Sequence, residues 1–242
     1  MEATDRPAGS GGADPAEIAR FDALAARWWD PRGPMRPLHE MNPARIAWIE
    51  ARLRRGFGAG GARVLDVGCG AGLAAEALAR RGHRVLGIDA ARAALAAARA
   101  HAAGMANAPE YREAVAEELI GESARYQAIT ALEVIEHVPD PMGFIANLAA
   151  LLEPGGLLFL STINRTPRSL LTAKIGAEYI VRLLPVGTHD WRQFLTPSEL
   201  AEMLRRAGLR VADLAGLSYR PLAGSWRISR DLGVNYLMAA ER

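Results

Sequence analysis

A glycine-rich turn between a buried strand and a helix constrains the fold of this chain more than any other feature. The apolar segment 63–67 runs directly into Gly68-Cys69-Gly70-Ala71-Gly72, and glycine lets a backbone turn sharply and approach a ligand closely. The order of strand, turn and helix then recurs, which is typical of a mostly parallel sheet with helices on both faces. Such sheets bind ligands beyond the carboxyl ends of their strands, so we expect a ligand site at this turn.

The periodicity predicts an α/β fold with a doubly wound, seven-stranded, mostly parallel sheet, N-terminal helices and an inserted lid. We expect strands over 63–67, 84–88, 111–114, 127–132, 157–163, 209–214 and 234–240, and helices over 43–55, 71–81, 90–103, 141–152 and 196–207. A helix also starts near Asp14, and Thr196 and Glu199 are spaced as in a capping box. We expect a disordered tail over 1–13 and a single domain over 14–242, with a helical cap over 14–60 and the lid over 164–192.

Composition excludes several classes of protein. The net charge of +2 gives no basis for a nucleic-acid partner. Cys69 is the single cysteine, so an internal disulfide is impossible and a reducing compartment is favoured. The sequence has no apolar run long enough to span a membrane, so we expect a cytoplasmic protein, with peripheral contact at the inner face of the membrane left open.

Two aspartates bracket the glycine turn and bear on the choice of ligand. Gly70, Gly72 and Ala75 fit a variant of the dinucleotide fingerprint. Asp66, however, lies just before the first glycine, where it would repel a pyrophosphate but attract a ligand carrying sulfonium and ammonium groups. Asp89 follows the next strand at a distance suited to binding ribose hydroxyls. The alternative interpretation is that both aspartates only cap the helices that follow them.

With these features the sequence resembles the class I S-adenosylmethionine-dependent methyltransferases, which have a Rossmann-like sheet. The resemblance runs over about residues 62–156. It includes the segment around Glu117, where such enzymes hold adenine, and Leu152-Glu153-Pro154-Gly155-Gly156. It implies S-adenosylmethionine as the cofactor, with Asp66 and Gly70 in its site.

Motifs outside that generic region are similar to those of the ubiquinone-biosynthesis O-methyltransferase family. All of them lie before residue 62 or after residue 156: Trp28-Trp29-Asp30, Asn42-Pro43-Ala44-Arg45, Ser161-Thr162-Ile163-Asn164-Arg165, Gly176-Ala177-Glu178-Tyr179-Ile180, Pro185-Val186-Gly187-Thr188-His189-Asp190 and Val234-Asn235-Tyr236. The resemblance implies O-methylation of two polyprenylated phenol intermediates, and contact with other enzymes of that pathway. Methylation of another phenol or lipid-like molecule is the alternative.

The resemblance also implies cofactor contacts at Arg45, Gly68, Asp89 and Leu132. Arg45 would hold the methionyl carboxylate of the cofactor through a bidentate pair, whereas the alternative is an ordinary surface arginine. The family often has methionine at the position of Leu132, and an apolar or backbone contact to adenine survives that change.

A second cluster of polar residues, Glu133, Glu136 and His137, follows the fourth predicted strand. If this segment turns helically, the three side chains share one face and can hold a divalent cation such as Mg²⁺, which would lower the pKa of a phenol. The alternative is that no metal binds and that His137 acts as the base or only lines the site.

Two other classes of function and one further choice stay open. An NAD-dependent oxidoreductase would bind NADH and not S-adenosylhomocysteine, and a non-catalytic module would bind without turnover. Asp66, Asp89 and His137 favour an active methyltransferase. The lid over 164–192 is apolar around most of its predicted helix, which suits either packing on the sheet or contact with an anionic membrane surface.

Overall fold

The strands of the protein form one sheet. In the computed structural model, which describes residues 15–171, 191–220 and 224–242, the strands are β1 (Arg63–Val67), β2 (Arg84–Asp89), β3 (Glu110–Glu113), β4 (Tyr126–Leu132), β5 (Leu152–Ile163), β6 (Arg210–Arg220), β7 (Ser225–Ser229) and β8 (Asn235–Glu241). Their order across the sheet is β3-β2-β1-β4-β5-β8-β6-β7. Strands β1 to β5 are parallel to one another, whereas β8 pairs antiparallel with both β5 and β6.

The doubly wound sheet is confirmed, but the predicted number of seven strands is wrong. The eighth strand, β7, pairs antiparallel with β6 and forms the edge of the sheet. Its inward-facing residues Trp226 and Ile228 pack against the apolar cluster beneath α2, a helix that covers Arg36–Phe57. The extra strand therefore extends the sheet far enough to cover one side of a long helix.

The other helices lie on both faces of the sheet. They are α1 (Pro15–Leu24), α3 (Leu73–Ala79), α4 (Arg92–Ala102), α5 (Ala116–Gly121), α6 (Pro141–Leu151) and α7 (Pro197–Arg206), and 3₁₀ turns cover Ala25–Arg27, Ile135–His137 and Trp191–Gln193. The predicted capping box of α7 is confirmed, because the Thr196 hydroxyl accepts from the Glu199 N–H and the Glu199 carboxylate accepts from the Thr196 N–H.

The prediction that the second helix begins near Pro43 is wrong. Helix α2 begins at Arg36, with a proline in its first turn, and continues through Pro43 to Phe57. Proline at the start of a helix loses no intrahelical hydrogen bond, whereas Pro43 costs the helix one. Burial of Ile46, Ile49 and Leu53 on the inner face of α2 offsets that cost, so the helix extends beyond the boundary that proline alone suggests.

The chain order places a switch point between β1 and β4. After β1 the chain moves outward through β2 to β3, and it then returns to the opposite side of β1 to form β4 and β5. Apolar side chains of α2 and α3 cover one face of the sheet, and those of α6 and α7 cover the other. The carboxyl ends of β1, β2 and β4 therefore meet at one edge, where open α/β sheets bind ligands.

Some predicted features fall outside the described residues. The tail over 1–13 and most of the lid over 164–192 belong to them, so both stay predictions, as does the single domain over 14–242. Within the three described ranges, no helix has both the length and the apolar character needed to cross a bilayer.

Candidate functional site

The glycine turn joins β1 to α3 and has the left-handed backbone that its glycines permit. Gly68 has a φ of 67° and Gly70 a φ of 53°, values that are costly for residues with a side chain. A Cβ on Gly68 would lie 2.6 Å from Val134 Cγ2, and a Cβ on Gly70 would lie 2.3 Å from Trp28 Cζ2. The N–H groups of Gly68 and Cys69 both donate to the Ile88 carbonyl at the end of β2. The turn is therefore held between β2, the segment after β4 and the N-terminal segment.

Asp89, at the end of β2, is tied to this turn. Its Oδ2 accepts from the Gly70 N–H at 2.7 Å and its Oδ1 from the Ala91 N–H at 2.8 Å. Burial raises the pKa of Asp89, although the N–H groups of Ala91 and Gly70 oppose the shift. The bond to Ala91, just before α4, corresponds to the capping role, but each carboxylate oxygen keeps a second lone pair for a ligand hydroxyl. Asp89 therefore both shapes the turn and can bind a ribose.

Asp66 lies inside the sheet on β1, beside the turn. Its Oδ1 accepts from the Thr130 hydroxyl of β4 at 2.6 Å, while its buried Oδ2 has no hydrogen-bond partner among the described residues. Burial raises the pKa of Asp66 from its usual 3.8 to about 6, against the opposing effects of the Thr130 hydroxyl and the Arg45 charge. A buried carboxylate with a free oxygen is an acceptor for a cationic or N–H-bearing group.

Arg45 is a buried arginine and not the surface arginine of the alternative interpretation. It is 3% exposed, and its Nη1 lies 3.5 Å from Glu133 Oε1, an ion pair too loosely oriented for a hydrogen bond. Its Nε and Nη1 have no hydrogen-bond partner in the described part of the chain. Burial lowers the pKa of Arg45, while the charges of Glu133 and Asp66 raise it. The guanidinium thus keeps donors for an anionic group.

The position of Arg45 depends on a neighbour one turn earlier on α2. The Asn42 side-chain amide donates to the Leu73 carbonyl at 2.9 Å, at the first residue of α3. This bond fixes α2 against the end of the glycine turn. Because Asn42 and Arg45 are three residues apart on a helix, they share a face, so the same contact directs the guanidinium toward β1.

The segment that carries Glu133, Glu136 and His137 does not turn helically from Glu133, so the condition for a shared helical face is not met. Glu133 has a φ of 56°, which turns the backbone before the 3₁₀ turn Ile135–His137 begins. Glu133 Oε1 accepts from the Ser161 hydroxyl at 2.6 Å, whereas Glu136 Oε2 accepts from the Thr162 hydroxyl at 2.8 Å. Ser161 and Thr162 are adjacent on β5, and adjacent residues of a strand point to opposite faces. The two carboxylates therefore lie on different sides of β5.

These positions do not make a preformed metal site. Among the residues that the structure describes, no three His, Cys, Asp or Glu side chains form a group that could hold a metal ion. Burial, and then the Glu133 charge, raise the pKa of Glu136 well above its usual range. The metal requirement therefore stays a prediction that the geometry does not support.

His137 lies at the end of the 3₁₀ turn, next to an aromatic group of the N-terminal helix. Its ring makes an edge-to-face contact with Phe21, with the centroids 5.8 Å apart. Phe21 also lies 5.9 Å from the Trp28 ring, measured between centroids. Phe21 of α1 and Trp28 beyond it thus connect His137 to the glycine turn, so the imidazole and the turn belong to one site.

The two residues predicted to lie near adenine are at the expected edge of the sheet. Glu117 is on α5, and its Oε1 accepts from the Asn147 side chain of α6 at 2.9 Å. Leu132 is the last residue of β4 and is paired in register with Ser161 of β5. Both are half-buried. Their contact with a cofactor stays a prediction.

Three residues of the site were missed in the sequence, namely Trp28, Asn42 and Thr130. Thr130 lies in an apolar strand, and Asn42 is part of a quoted motif, yet neither had a pattern that assigned it a bond. In the sequence, Trp28 is one residue of the motif Trp28-Trp29-Asp30, with no contact assigned to it. Two adjacent tryptophans before an aspartate were the available signal, but the sequence does not show which ring faces the turn.

Comparisons with known proteins show which family this chain is similar to. A family model described as a methyltransferase domain matches residues 38–214. The ubiquinone biosynthesis O-methyltransferase of Pseudomonas aeruginosa strain UCBPP-PA14 is 48% identical over 230 residues, covering 95% of this chain and 97% of that protein. The enzyme of the same name from Acinetobacter baylyi is 50% identical over 228 residues, covering 93% of this chain and 94% of that protein.

A solved structure has the same fold at much lower sequence identity. Magnesium protoporphyrin IX methyltransferase from Synechocystis PCC 6803, crystallised with bound SAH, superposes with a TM-score of 0.66 at 20% identity. The match covers 93% of this chain and 94% of that one. At this identity the likeness shows the fold alone.

Proposed function

The chain belongs to the ubiquinone biosynthesis O-methyltransferases, and from this premise we propose that it transfers a methyl group from S-adenosylmethionine to phenolic oxygens of polyprenylated ubiquinone precursors, at both O-methylation steps. The observation that carries the proposal is the pair formed by Arg45 and Asp66. These two buried side chains of opposite charge keep free polar atoms beside the glycine turn. An amino-acid group, with one carboxylate and one ammonium, is the ligand that complements them.

The proposed cofactor contacts follow from the free donors and acceptors. Arg45 binds the methionyl carboxylate, Asp66 stabilises the positive charge of the ammonium and sulfonium groups, and Asp89 accepts from the ribose hydroxyls. The other proposed contacts are with the backbone of the turn and with the adenine, at Gly68, Gly70, Glu117 and Leu132. When bound, S-adenosylmethionine supplies an electrophilic methyl group.

His137 is the proposed general base. A phenol has a pKa near 10, so at neutral pH an acceptor must take its proton before the oxygen becomes a good nucleophile. We propose that an imidazole nitrogen of His137 takes this proton and releases it to solvent after the transfer. The edge-to-face contact with Phe21 restricts the orientation of the ring, which keeps the base in place while the substrate binds.

In the alternative proposal, His137 is a ligand of a metal ion and not the base. Glu133, Glu136 and His137 could hold Mg²⁺ only after their side chains move, because Glu133 and Glu136 bond to Ser161 and Thr162 on β5. Turnover in the presence and absence of a chelator separates the two proposals. Full activity in the chelator leaves His137 as a metal-free base, whereas loss of activity that Mg²⁺ restores supports the metal.

A polyprenylated substrate resides in a membrane, so we also propose that the enzyme meets it at an anionic bilayer surface. The segment assigned to this contact, 164–192, lies mostly outside the described residues. Leu171, the last described residue before residue 172, is 58% exposed. Binding to anionic liposomes should weaken with salt and in the variant I180D/L184D. Equal cosedimentation of the folded wild type and this variant would contradict the proposal.

The experiment that tests the function measures transfer of a labelled methyl group. The purified protein is incubated with labelled S-adenosylmethionine and either a demethylated ubiquinol analogue or a polyprenylated hydroxyphenol. We expect transfer to both acceptors, and its loss in His137→Ala with S-adenosylhomocysteine binding retained. Equal transfer to a simple catechol without a side chain would favour another phenol as the substrate, and an absence of transfer despite cofactor binding would reject the proposal.

A further inference from the structure

One buried polar atom at the glycine turn has no role in the function proposed above. Trp28 is 5% exposed, and its indole Nε1 has no hydrogen-bond partner among the described residues. An indole N–H can only donate, and a buried donor without an acceptor is costly. A ligand that brings an acceptor to this N–H would remove that cost.

The Trp28 ring lies directly over the turn. It follows the 3₁₀ turn Ala25–Arg27, and its Cζ2 and Cη2 occupy the space that a Cβ on Gly70 would need. The ring packs in one apolar cluster with Met35, Ala71 and Ala91. These contacts place the indole between the glycine turn and the start of α4, where the proposed ribose-binding carboxylate also lies.

The neighbouring Trp29 is bonded quite differently. Its Nε1 donates to the Ala71 carbonyl at 3.0 Å, and its ring stacks on His101 with the centroids 3.4 Å apart and the planes 2° from parallel. Trp29 therefore attaches the N-terminal segment to the body of the protein. Trp28, one residue earlier, has an indole N–H that no acceptor within the three described ranges reaches.

The N-terminal segment is also fixed on its other side. Asp22 Oδ1 accepts from the Ala93 N–H at 2.8 Å, in the first turn of α4. A carboxylate at the N-terminus of a helix is favoured by the helix dipole. Together with the bond from Trp29, this contact holds the segment across the turn, so the free N–H of Trp28 has a defined position.

We propose that Trp28 is a cofactor-binding residue whose indole N–H donates to the carboxylate of the methionine part of the cofactor, together with Arg45. This inference rests on the proposed function. Trp28 and Arg45 both keep free donors, and the amino-acid carboxylate is the one anionic acceptor of S-adenosylmethionine. The ribose hydroxyls, by contrast, have their acceptor in Asp89. The ring of Trp28 at the same time covers the turn and keeps water from the carboxylate.

The test compares Trp28→Phe with a matched control, Trp226→Phe. Trp226 also has a buried Nε1 with no partner in the described residues, but it lies on β7, which four other strands separate from β1 in the sheet. Both substitutions keep an aromatic ring and remove one indole N–H. We expect the Kd for S-adenosylhomocysteine, measured by calorimetry, to rise at least about tenfold in Trp28→Phe and to stay unchanged in Trp226→Phe.

A second ligand tests whether the carboxylate is the group that the Trp28 N–H contacts. 5′-Methylthioadenosine has the nucleoside and the sulfur but lacks the amino-acid group, so its affinity should be equal in Trp28→Phe and in the wild type. Equal weakening for both ligands would mean that only the ring matters and would overturn the proposed hydrogen bond. Unchanged binding of S-adenosylhomocysteine by Trp28→Phe would overturn the inference altogether, whereas failure of the wild type to bind it would instead reject the proposed function.

A measurement on the wild type covers the case in which Trp28→Phe does not fold. The chain has five tryptophans, so the indole N–H signals in an ¹⁵N NMR spectrum can be assigned by elimination from the other Trp→Phe variants. The signal of Trp28 should shift strongly with S-adenosylhomocysteine and much less with 5′-methylthioadenosine. The same small shift with both ligands would contradict the proposal.

Discussion

Ionised Asp66 should have opposite effects on two measurable quantities: it should strengthen cofactor binding and lower the stability of the folded protein. Its carboxyl is buried on β1, and the shift of its pKa from 3.8 to about 6 makes the ionised form about 3 kcal/mol less favourable in the folded protein than in water. The folded protein therefore binds more protons than the unfolded chain between these two values. The contribution of protonated Asp66 to the free energy of unfolding is therefore fully present below about pH 4, and it is lost as the pH rises through 6.

The perturbation is Asp66→Asn, which keeps an oxygen that can accept from Thr130 and removes the titration. Its stability relative to the wild type should therefore change by about 3 kcal/mol in favour of the variant between pH 4 and pH 8. The measurement is chemical denaturation of both proteins, without ligand, over this range. Asp89 and Glu136 also have raised pKa values and titrate in both proteins, so the difference between the two pH profiles reports the loss of the Asp66 charge, including its repulsion of Asp89.

Cofactor binding should depend on pH in the opposite direction. If only ionised Asp66 stabilises the ammonium group, protonation competes with the ligand, and a pKa of about 6 predicts about tenfold weaker binding of S-adenosylhomocysteine at pH 5 than at pH 7. Asp66→Asn should bind more weakly at pH 7 and lose this difference. Parallel pH profiles for the two proteins, in either stability or binding, would refute the reasoning.

The remaining predictions concern the turn and one helix cap. Asp89→Ala should weaken S-adenosylhomocysteine binding at least about tenfold in calorimetry, because two ribose hydroxyls lose a charged acceptor; unchanged affinity would reject the ribose contact. Gly70→Ala should both destabilise the protein and weaken binding, since its Cβ would overlap the Trp28 ring. Gly104 also has a positive φ, but a Cβ there would meet no other atom. As a control, Gly104→Ala should therefore lower stability without weakening binding. Thr196→Ala should lower the free energy of unfolding by about 1 kcal/mol with no change in methyl transfer.

The parts of the fold that depend on local pattern were predictable. Strand β1 was predicted over its observed residues because an apolar run ends at glycines, and the cap of α7 because its residues stand at fixed spacing. The strand β7 was missed, since five residues with two apolar positions are too short a pattern. The start of α2 was misplaced because Pro43 suggests a boundary that tertiary packing overrides.

The site shows the same division between local and tertiary information. Asp66, Asp89 and the glycines could be proposed from spacing, because the chemistry of a turn beside two carboxylates is a local feature. The positive φ of Glu133 has no sequence signal in a residue other than glycine, and it is what separates Glu133 from Glu136 and His137. The free N–H of Trp28 depends on contacts with residues far along the chain, which no spacing reveals.

The N-terminal segment therefore belongs to the site as much as the glycine turn does. The general methyltransferase model begins at residue 38 and includes Arg45, Asp66 and Asp89, but it leaves out Phe21 and Trp28. The ubiquinone-biosynthesis relative from Pseudomonas aeruginosa matches over 95% of the chain. Phe21 contacts His137 and Trp28, and Trp28 covers Gly70, so the proposed cofactor and substrate sides of the site meet in this segment. The aromatic segment before the sheet therefore has to be part of any test of the site, because variants confined to residues 38–214 leave Phe21 and Trp28 unchanged.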